Sequence, residues 1–177
     1  MKIYCITGKA GSGKDTFAQI MKEELQAGED NGYKRVLITH YADLLKYICK
    51  AFFGWDGQKD EVGRRLLQYV GTDVIRRHNP GYWVDFIAEV LALFHDQWDY
   101  VLIPDCRFPN EYYGLVDKGF DATLIRITRP DLVSSLTAEQ QRHASETSMD
   151  DMDVYYEVLN DSTLDHLRKI ARDILEI

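Results

Sequence analysis

The feature that most constrains the fold is a glycine-rich segment that follows a short apolar stretch at the start of the chain. Residues 2–7 have the apolar, β-branched character of a buried strand, and residues 17–25 repeat apolar side chains at helical spacing. Between them, Gly8 to Lys14 fits the pattern GxxxxGK, in which the backbone wraps a phosphate and the lysine reaches its terminal oxygens. A strand, a glycine loop and a helix in this order predict a phosphate-binding loop in an α/β fold.

The loop departs from the general motif at one position. The Ser or Thr that usually follows the lysine is replaced by Asp15, and a hydroxyl comes one residue later at Thr16. One residue rotates a side chain by about 100° around a helix, so Thr16 is not a simple substitute. We expect Asp15 to contact Mg²⁺ directly or through water and Thr16 to bond an inner phosphate, beside backbone contacts from Gly11, Ser12 and Gly13. The alternative is that Asp15 only stabilises the helix N-terminus.

Strands and helices alternate along the rest of the chain. Four further strands are predicted, at residues 35–39, 100–104, 123–127 and 154–159. Several are continuous apolar runs, which is typical of a parallel sheet covered by helices on both faces. A polar break at residues 28–34 separates the first helix from the second strand. We therefore predict a single α/β domain over residues 1–177, with three αβα layers, five mostly parallel strands, a helical insert at about 42–97 and a lid at about 129–153.

Composition excludes several classes of protein. The net charge is −8, whereas surfaces that bind nucleic-acid polymers or acidic membranes cluster lysine and arginine. The start of the chain has no signal-peptide h-region, and no run approaches the eighteen or so apolar residues of a membrane span. Cys5, Cys49 and Cys106 lie far apart without a CxxC pair, which argues against a disulfide framework or a zinc site. We expect reduced thiols in a cytoplasmic protein.

A second polar group follows the most apolar strand. Asp105, Arg107 and Glu111 come directly after residues 100–104, and ligands bind at the carboxyl edge of open parallel sheets. We interpret Asp105 as a group that orders Mg²⁺ or activates the attacking oxygen, and Arg107 as a phosphate clamp. Glu111 would accept a hydrogen bond from a sugar or base. An Asp–Arg pair that only closes the strand end is the alternative.

These segments resemble the deoxynucleoside monophosphate kinases of bacteriophages. The matching segments are GKAGSGKDT at 8–16, YADLLK at 41–46, RRLLQYVGTDVIR at 64–76, PDCRFPNE at 104–111, HASE at 143–146 and VLND at 158–161. GKDT is shared with other small-molecule kinases, including animal phosphomevalonate kinases, whereas its combination with DxRFPNE is more specific. The resemblance implies a P-loop nucleoside-phosphate kinase fold with ATP as phosphoryl donor, and it is compatible with a homodimer.

The resemblance also implies roles for individual residues. It assigns acceptor-phosphate or other substrate contacts to Lys9, Arg65, Trp83, Asp105, Arg107 and Glu111. Arg64 and Arg65 are easily exchanged in this matching, and helical geometry lets at most one of them face the site. Trp83 has an alternative interpretation as a core aromatic.

Arginines and polar residues near the lid complete the predicted site. Arg126, Arg129 and Arg142 fall where a lid would close over the transferred phosphoryl group, and Arg129 is the catalytic candidate among them. Ordinary surface arginines are the alternative. Asn160 resembles the adenine-side loop of these kinases, although a polar cap before the last helix also explains it. His143 would orient Glu146 or have no part in catalysis.

The predicted reaction is transfer of the γ-phosphoryl group of Mg·ATP to the 5′-phosphate of a deoxynucleoside monophosphate. Lys14, Mg²⁺ and arginines would supply most of the catalysis through positioning and charge neutralisation. The alternatives are a kinase of another phosphorylated metabolite, of the phosphomevalonate type, and a nucleotide-dependent ATPase or switch without an acceptor. The sequence leaves open which bases are accepted and whether ribonucleotides are used.

Overall fold

Strands and helices alternate throughout the computed structural model, which describes residues 1–27 and 32–177. The strands are β1 (Lys2–Thr7), β2 (Val36–Ile38), β3 (Tyr100–Ile103), β4 (Asp121–Thr128) and β5 (Tyr156–Leu159). The helices are α1 (Lys14–Ala27), α2 (Ala42–Phe53), α3 (Glu61–Gln68), α4 (Tyr82–Leu93), α5 (Pro109–Asp117), α6 (Ala138–Arg142), α7 (Ala144–Thr147) and α8 (Leu164–Leu175). Helix α3 continues into a π-helical stretch, Tyr69–Arg76, here called the π segment. The polar break predicted at 28–34 lies partly outside the described residues.

The strands form one parallel sheet in the order β2-β3-β1-β4-β5. Strand β1 is central, with Ile3 opposite Val101 of β3 and Ala122 of β4. This confirms the predicted three-layer α/β fold, although β2 has only 3 residues and β4 begins at Asp121 rather than at residue 123. Because parallel strands end at the same edge, the loop after β1 and the segment after β3 are neighbours there.

Two apolar layers cover the sheet, one on each face. On one face Ile3 and Cys5 belong to a core that includes buried side chains of α2 and α4. On the other face Tyr4 and Ile6 pack with buried residues of α1 and α8. Alternate residues of a strand point to opposite faces, so the four residues from Ile3 to Ile6 are all apolar, and Thr7 is the one buried polar residue of β1.

Cys5, Cys49 and Cys106 are buried free thiols, as predicted. Within residues 1–27 and 32–177, no helix combines the length and the apolar character that crossing a membrane requires.

The helices between β2 and β3 pack closely through the π segment. A Cβ atom added to Gly71 would lie 2.6 Å from Cδ2 of Leu45 in α2. Gly71 also offers its carbonyl oxygen to Nε1 of Trp83, at 3.1 Å. The π segment is thereby held between α2 and α4, beside the edge of the sheet where the strands end. The division of the chain into a substrate-binding insert and a lid stays a prediction.

Candidate active site

The phosphate loop joins β1 to α1 in a conformation that only glycine adopts easily. Gly8 has a φ of 140° and Gly13 a φ of 102°. A Cβ at Gly8 would lie 2.3 Å from the carbonyl oxygen of Ile127, and one at Gly13 would lie 2.5 Å from Nδ2 of Asn160. The loop therefore passes directly against β4 and against the loop that follows β5. Nδ2 of Asn160 donates to the carbonyl oxygen of Ser12 at 2.9 Å, which ties the two loops together.

Lys14 begins α1 and turns its ammonium group back to the loop. Its Nζ donates to the carbonyl oxygens of Gly8 and Lys9, each at 2.7 Å. Burial lowers the pKa of Lys14 to about 8, and the nearby charge of Arg107 acts in the same direction. The lysine is thus preplaced at the loop, as the motif predicts.

Two cavities lie beside the phosphate loop. The large cavity, of about 580 Å³, is bounded by the loop, the first turn of α2, the α3–π-segment wall and the segment after β3. The small cavity, of about 400 Å³, is bounded by the other side of the loop, the end of β4 and the lid. Ala10, Leu136 and Glu146 line both cavities and form the wall between them.

Asp105 lines the large cavity and fixes the start of α2. Its Oδ1 accepts from the backbone N–H of Tyr41 at 2.9 Å, and its Oδ2 accepts from that of Ala42 at 3.0 Å. Both oxygens therefore serve the N-terminus of a helix, where a carboxylate is stabilised by the helix dipole. The structure gives Asp105 a positioning role that the sequence did not predict, and its predicted roles towards Mg²⁺ and the attacking oxygen stay untested.

Asp15 is paired with a histidine that sequence analysis missed. Nε2 of His40 lies 2.8 Å from Oδ1 of Asp15, and Nδ1 lies 3.3 Å from Oδ2 of Asp43. The hydrogen bond to Asp15 raises the pKa of His40, and the same bond lowers the pKa of Asp15. His40 follows β2, so its place at the carboxyl edge of the sheet was the signal that pointed to it. Thr16, the second residue expected near the phosphates, is exposed and lines neither cavity.

Glu111 is buried inside a network of protein donors and also lines the large cavity, and its predicted hydrogen bond to a sugar or base stays untested. The residue is 3% exposed, with Oε1 at 2.5 Å from Nη2 of Arg76. Oε2 accepts from the backbone N–H groups of Arg107 and Phe108, at 2.5 and 3.1 Å. Burial raises the pKa of Glu111 to about 7, although Arg76 and the two N–H groups act in the opposite direction. Glu111 holds the Arg107 backbone in place.

The structure favours Arg64 over the predicted Arg65 as the arginine at the site. Arg64 lines the large cavity, whereas Arg65 is 70% exposed and pairs with Glu61 at 3.6 Å on the outer surface of α3. Adjacent helical residues point about 100° apart, so this outcome follows from the helix register. Trp83 is a core aromatic, since it is only 3% exposed, and it also lines the large cavity, as a residue of the substrate site would.

Lid residues 144–150 contact the loop and Arg107. Nη1 of Arg107 contacts Oε1 of Glu146 and donates to the carbonyl oxygen of Ser145 at 2.8 Å. Lys9 lines the small cavity, and its Nζ lies 2.5 Å from Asp150. Arg107 and Trp83, which are also predicted to contact the substrate, line the large cavity instead, and the predicted contact of Lys9 with the acceptor phosphate stays untested. The ring of His143 caps α7, the short helix that carries Glu146.

The three arginines predicted near the lid divide between the small cavity and the surface, and Arg126 lies in β4 rather than in the predicted lid. Arg126 and Arg129 line the small cavity, and Arg142 lines neither of the two. The Nη2 of Arg126 already donates to the carbonyl oxygens of Met149 and Met152, at 3.0 and 2.6 Å. Arg129 is exposed and remains the catalytic candidate among the three.

The family follows from a comparison with known sequences. Residues 30–170 match the family model described as deoxynucleotide monophosphate kinase. The chain belongs to this family. It is 32% identical over 158 residues to "Uncharacterized protein ORF77" of Ictalurid herpesvirus 1 (strain Auburn), covering 89% of this chain but only 63% of that protein. It is 29% identical over 192 residues to "Putative deoxynucleotide monophosphate kinase" of Acanthamoeba polyphaga mimivirus, covering 93% of this chain and 91% of that protein.

Solved structures show the same fold at low sequence identity. The Mycobacterium tuberculosis APS kinase CysC in complex with AMPPNP and APS has a TM-score of 0.54 and 17% identity, with 99% of this chain and 98% of that chain covered. A sugar kinase from Janibacter sp. HTCC2649 has a TM-score of 0.56 and 12% identity, with 100% and 95% covered. Dephospho-CoA kinase from Campylobacter jejuni has a TM-score of 0.51 and 13% identity, with 99% and 96% covered. The fold of this family member is that of the P-loop kinases.

Proposed function

We propose that this kinase-family member transfers the γ-phosphoryl group of ATP to the 5′-phosphate of a deoxynucleoside monophosphate. The observation that carries the proposal is the phosphate loop between two cavities that share one wall. A phosphotransferase with a phosphorylated acceptor needs a donor site and an acceptor site that meet at the transferred group. Family membership and the mimivirus relative support the choice of a deoxynucleotide as acceptor.

The small cavity is suited to the donor. It is lined by Ser12 of the loop, by Arg126 near the end of β4 and by Arg129 just beyond β4. The Ser12 hydroxyl is buried and has no hydrogen-bond partner within the described residues, so it is available to a phosphate oxygen. Asn160 borders the loop on this side, where the resemblance places adenine.

The large cavity is suited to the acceptor. Its walls combine apolar surfaces, such as Trp83, with polar side chains, such as Gln68 and Thr72, and with several cations, among them Arg64 and Arg107. Apolar walls with a few placed polar groups are typical of sites for small organic ligands, and a cavity of about 580 Å³ is within their usual size range. The arginines would bind the monophosphate, and the helical wall would contact the sugar and base.

The reaction needs little acid–base chemistry. The bond between the γ-phosphorus and the β,γ-bridging oxygen breaks, a bond to an oxygen of the acceptor phosphate forms, and ADP leaves. The attacking oxygen is already anionic, so positioning and charge neutralisation dominate. Lys14 and Arg107 both line the large cavity close to the shared wall and would stabilise the charge of the transferred group.

The residues present fit Mg²⁺ that is bound mainly through nucleotide phosphates. No group of three or more His, Cys, Asp or Glu among the described residues could hold a metal by itself. Mg²⁺ is usually bound through one or two carboxylates together with substrate phosphates and water. Asp15, exposed beside the loop, is suited to be that carboxylate, whereas both oxygens of Asp105 already accept N–H groups. When bound, Mg²⁺ would neutralise charge on the donor phosphates.

The test is ADP release from Mg·ATP with each of the four deoxynucleoside monophosphates, with each ribonucleotide, with phosphomevalonate and without an acceptor. The Lys14→Ala variant is the blank. We expect turnover with one or more deoxynucleotides and only a small background without them. Equal ADP release without an acceptor would indicate an ATPase, and turnover with phosphomevalonate alone would indicate the other kinase. Either result contradicts the proposal.

A further inference from the structure

Two groups of the phosphate loop and the arginine proposed to bind the acceptor phosphate converge on one residue of the predicted lid, Glu146. The backbone N–H of Ala10, in the phosphate loop, donates to Oε2 of Glu146 at 3.0 Å. The guanidinium of Arg107 contacts Oε1 of the same carboxylate. The ammonium of Lys9 donates to the backbone oxygen of Glu146 at 2.6 Å. The Glu146 side chain is only 7% exposed, so its charge is compensated by these donors rather than by water.

Glu146 also lies at the point where the two substrates would meet. It lines the large and the small cavity, together with Ala10 and Leu136. Burial and the charge of Arg107 lower the pKa of Lys14, and the Glu146 carboxylate is close enough to act in the opposite direction. A negative group at this point has the position and the donors that the transferred phosphoryl group requires.

A carboxylate and a phosphate oxygen compete for the same donors. A loop N–H and an arginine fork are the groups that proteins use to bind either anion. The guanidinium of Arg107 cannot hold the Glu146 carboxylate and clamp an acceptor phosphate with the same Nη1. Nη1 of Arg107 is already engaged by Glu146 and by the carbonyl oxygen of Ser145, so an acceptor phosphate that bound at Nη1 would displace the Glu146 carboxylate.

We propose that Glu146 makes phosphoryl transfer dependent on the acceptor. Its carboxylate closes the wall between the two cavities, and the acceptor phosphate displaces it by taking Arg107. Without an acceptor, Arg107 stays neutralised and water has no opened path to the γ-phosphate. Glu146 is thus a residue that determines the specificity of the reaction for the acceptor over water. This inference rests on the proposed function for the identity of the two nucleotides.

The deciding experiment compares Glu146→Gln with the unmodified protein. Glutamine keeps the size of the side chain and an oxygen for the Ala10 N–H, but it removes the charge that holds Arg107. We expect ADP release without an acceptor to rise about tenfold. We also expect the Kd for tripolyphosphate, measured by calorimetry, to fall roughly tenfold. A change of this size corresponds to an unmodified protein in which Glu146 holds Arg107 in about nine-tenths of the molecules, so that only the remaining tenth can bind the ligand.

Asp151→Asn is the matched control, because Asp151 is an exposed carboxylate of the same lid and lines neither cavity. It removes the same charge and should change neither quantity. Weaker tripolyphosphate binding by Glu146→Gln, or an unchanged background of ADP release, would overturn the proposal and leave Glu146 as a group that only positions Arg107.

The tripolyphosphate measurement is independent of the acceptor. If the unmodified protein phosphorylated none of the deoxynucleotides, the proposed function would fail, yet the sign of the change in tripolyphosphate affinity would still decide the role of Glu146. Thermal unfolding of each variant shows whether it is folded. Glu146→Ala, with the same expected signs, replaces Glu146→Gln if the glutamine variant does not fold.

Discussion

Asp105 and Glu111, which follow β3, accept hydrogen bonds from protein groups at all of their carboxylate oxygens. Asp105 accepts from the first N–H groups of α2, and Glu111 accepts from the backbone that carries Arg107. At the scale of single residues, the site is thus held by acids that stabilise backbone turns, while the basic groups face the cavities. The stability of the protein and the placement of Arg107 depend on the same side chains.

Replacing Glu111 with glutamine should change how stability depends on pH. The pKa of Glu111 rises on folding from 4.5 to about 7, mainly through burial. Because the folded state then binds the proton more tightly, this group favours folding below pH 4.5, and its contribution is lost as pH rises towards 7. The loss is on the order of 3 kcal/mol at most. The difference in unfolding free energy between Glu111→Gln and the unmodified protein, measured in urea, should therefore shift in favour of the variant across this range. A difference that is constant with pH would contradict the assignment.

The two neighbouring arginines of α3 offer a matched pair of variants. Arg64→Ala removes a cation from the large cavity, and Arg65→Ala removes one from the outer surface. We expect Arg64→Ala to raise the KM for the acceptor about tenfold or more, since a hydrogen bond to a charged group contributes about 1.5–3 kcal/mol. Arg65→Ala should change it less than twofold. Steady-state kinetics with varied acceptor measure both values, and the reverse order would favour the original prediction.

The sequence predicted which strand ends carry chemistry but not which partners each side chain takes. Lys14, Asp15 and Arg107 were predicted at the site because they follow β1 and β3, and the structure brings them there. The partner of Asp105 is the start of α2, 63 and 64 residues away along the chain, and no local pattern encodes such a contact. His40 directly follows the predicted second strand, which was a usable signal, but its contact with Asp15, 25 residues earlier in the chain, depends on how the strands are ordered in the sheet.

At the scale of elements, the strands were easier to predict than the helical wall. Buried parallel strands are continuous apolar runs, so all five were found from their composition. The π segment was not predicted, because its apolar residues continue the helical pattern of α3 and a change of hydrogen-bond register leaves little trace in sequence. The short helix α6 carries a capping box of Thr137 and Gln140 that would have indicated its start.

The close packing of the π segment against α2 can be tested with a double-mutant cycle. Gly71→Ala places a Cβ within 2.6 Å of Leu45, so we expect a loss of about 1–3 kcal/mol in unfolding free energy. In a Leu45→Ala background the space is open, and the same substitution should cost less than about 0.5 kcal/mol. Denaturant unfolding of the four proteins gives the interaction energy. Additive losses would mean that Gly71 matters for another reason.

At the scale of the whole molecule, the two cavities and the loop between them form one binding surface. A single ligand that carries adenosine and a deoxynucleoside joined through five phosphates would occupy both cavities at once. Because the two nucleotides are joined, binding of one brings the other close to its own cavity. We therefore expect the Kd of the joined ligand to lie at least about tenfold below that of ATP. Calorimetry measures both values, and adenosine tetraphosphate controls for the added charge. Equal affinities would show that the cavities do not bind the two nucleotides together.

The contact between Asn160 and Ser12 has a consequence for the newly made chain. During synthesis the phosphate loop leaves the ribosome before its neighbours in the sheet, residues 100–103 and 121–128. It also precedes Asn160, which lies 148 positions after Ser12 and forms the side wall of the loop. Contacts between distant parts of a chain form late, because a long loop must close before they contribute. The segment from β1 to β2 should therefore leave the ribosome without a working nucleotide site. ATP can act as a folding ligand only once the chain has been synthesised past Asn160.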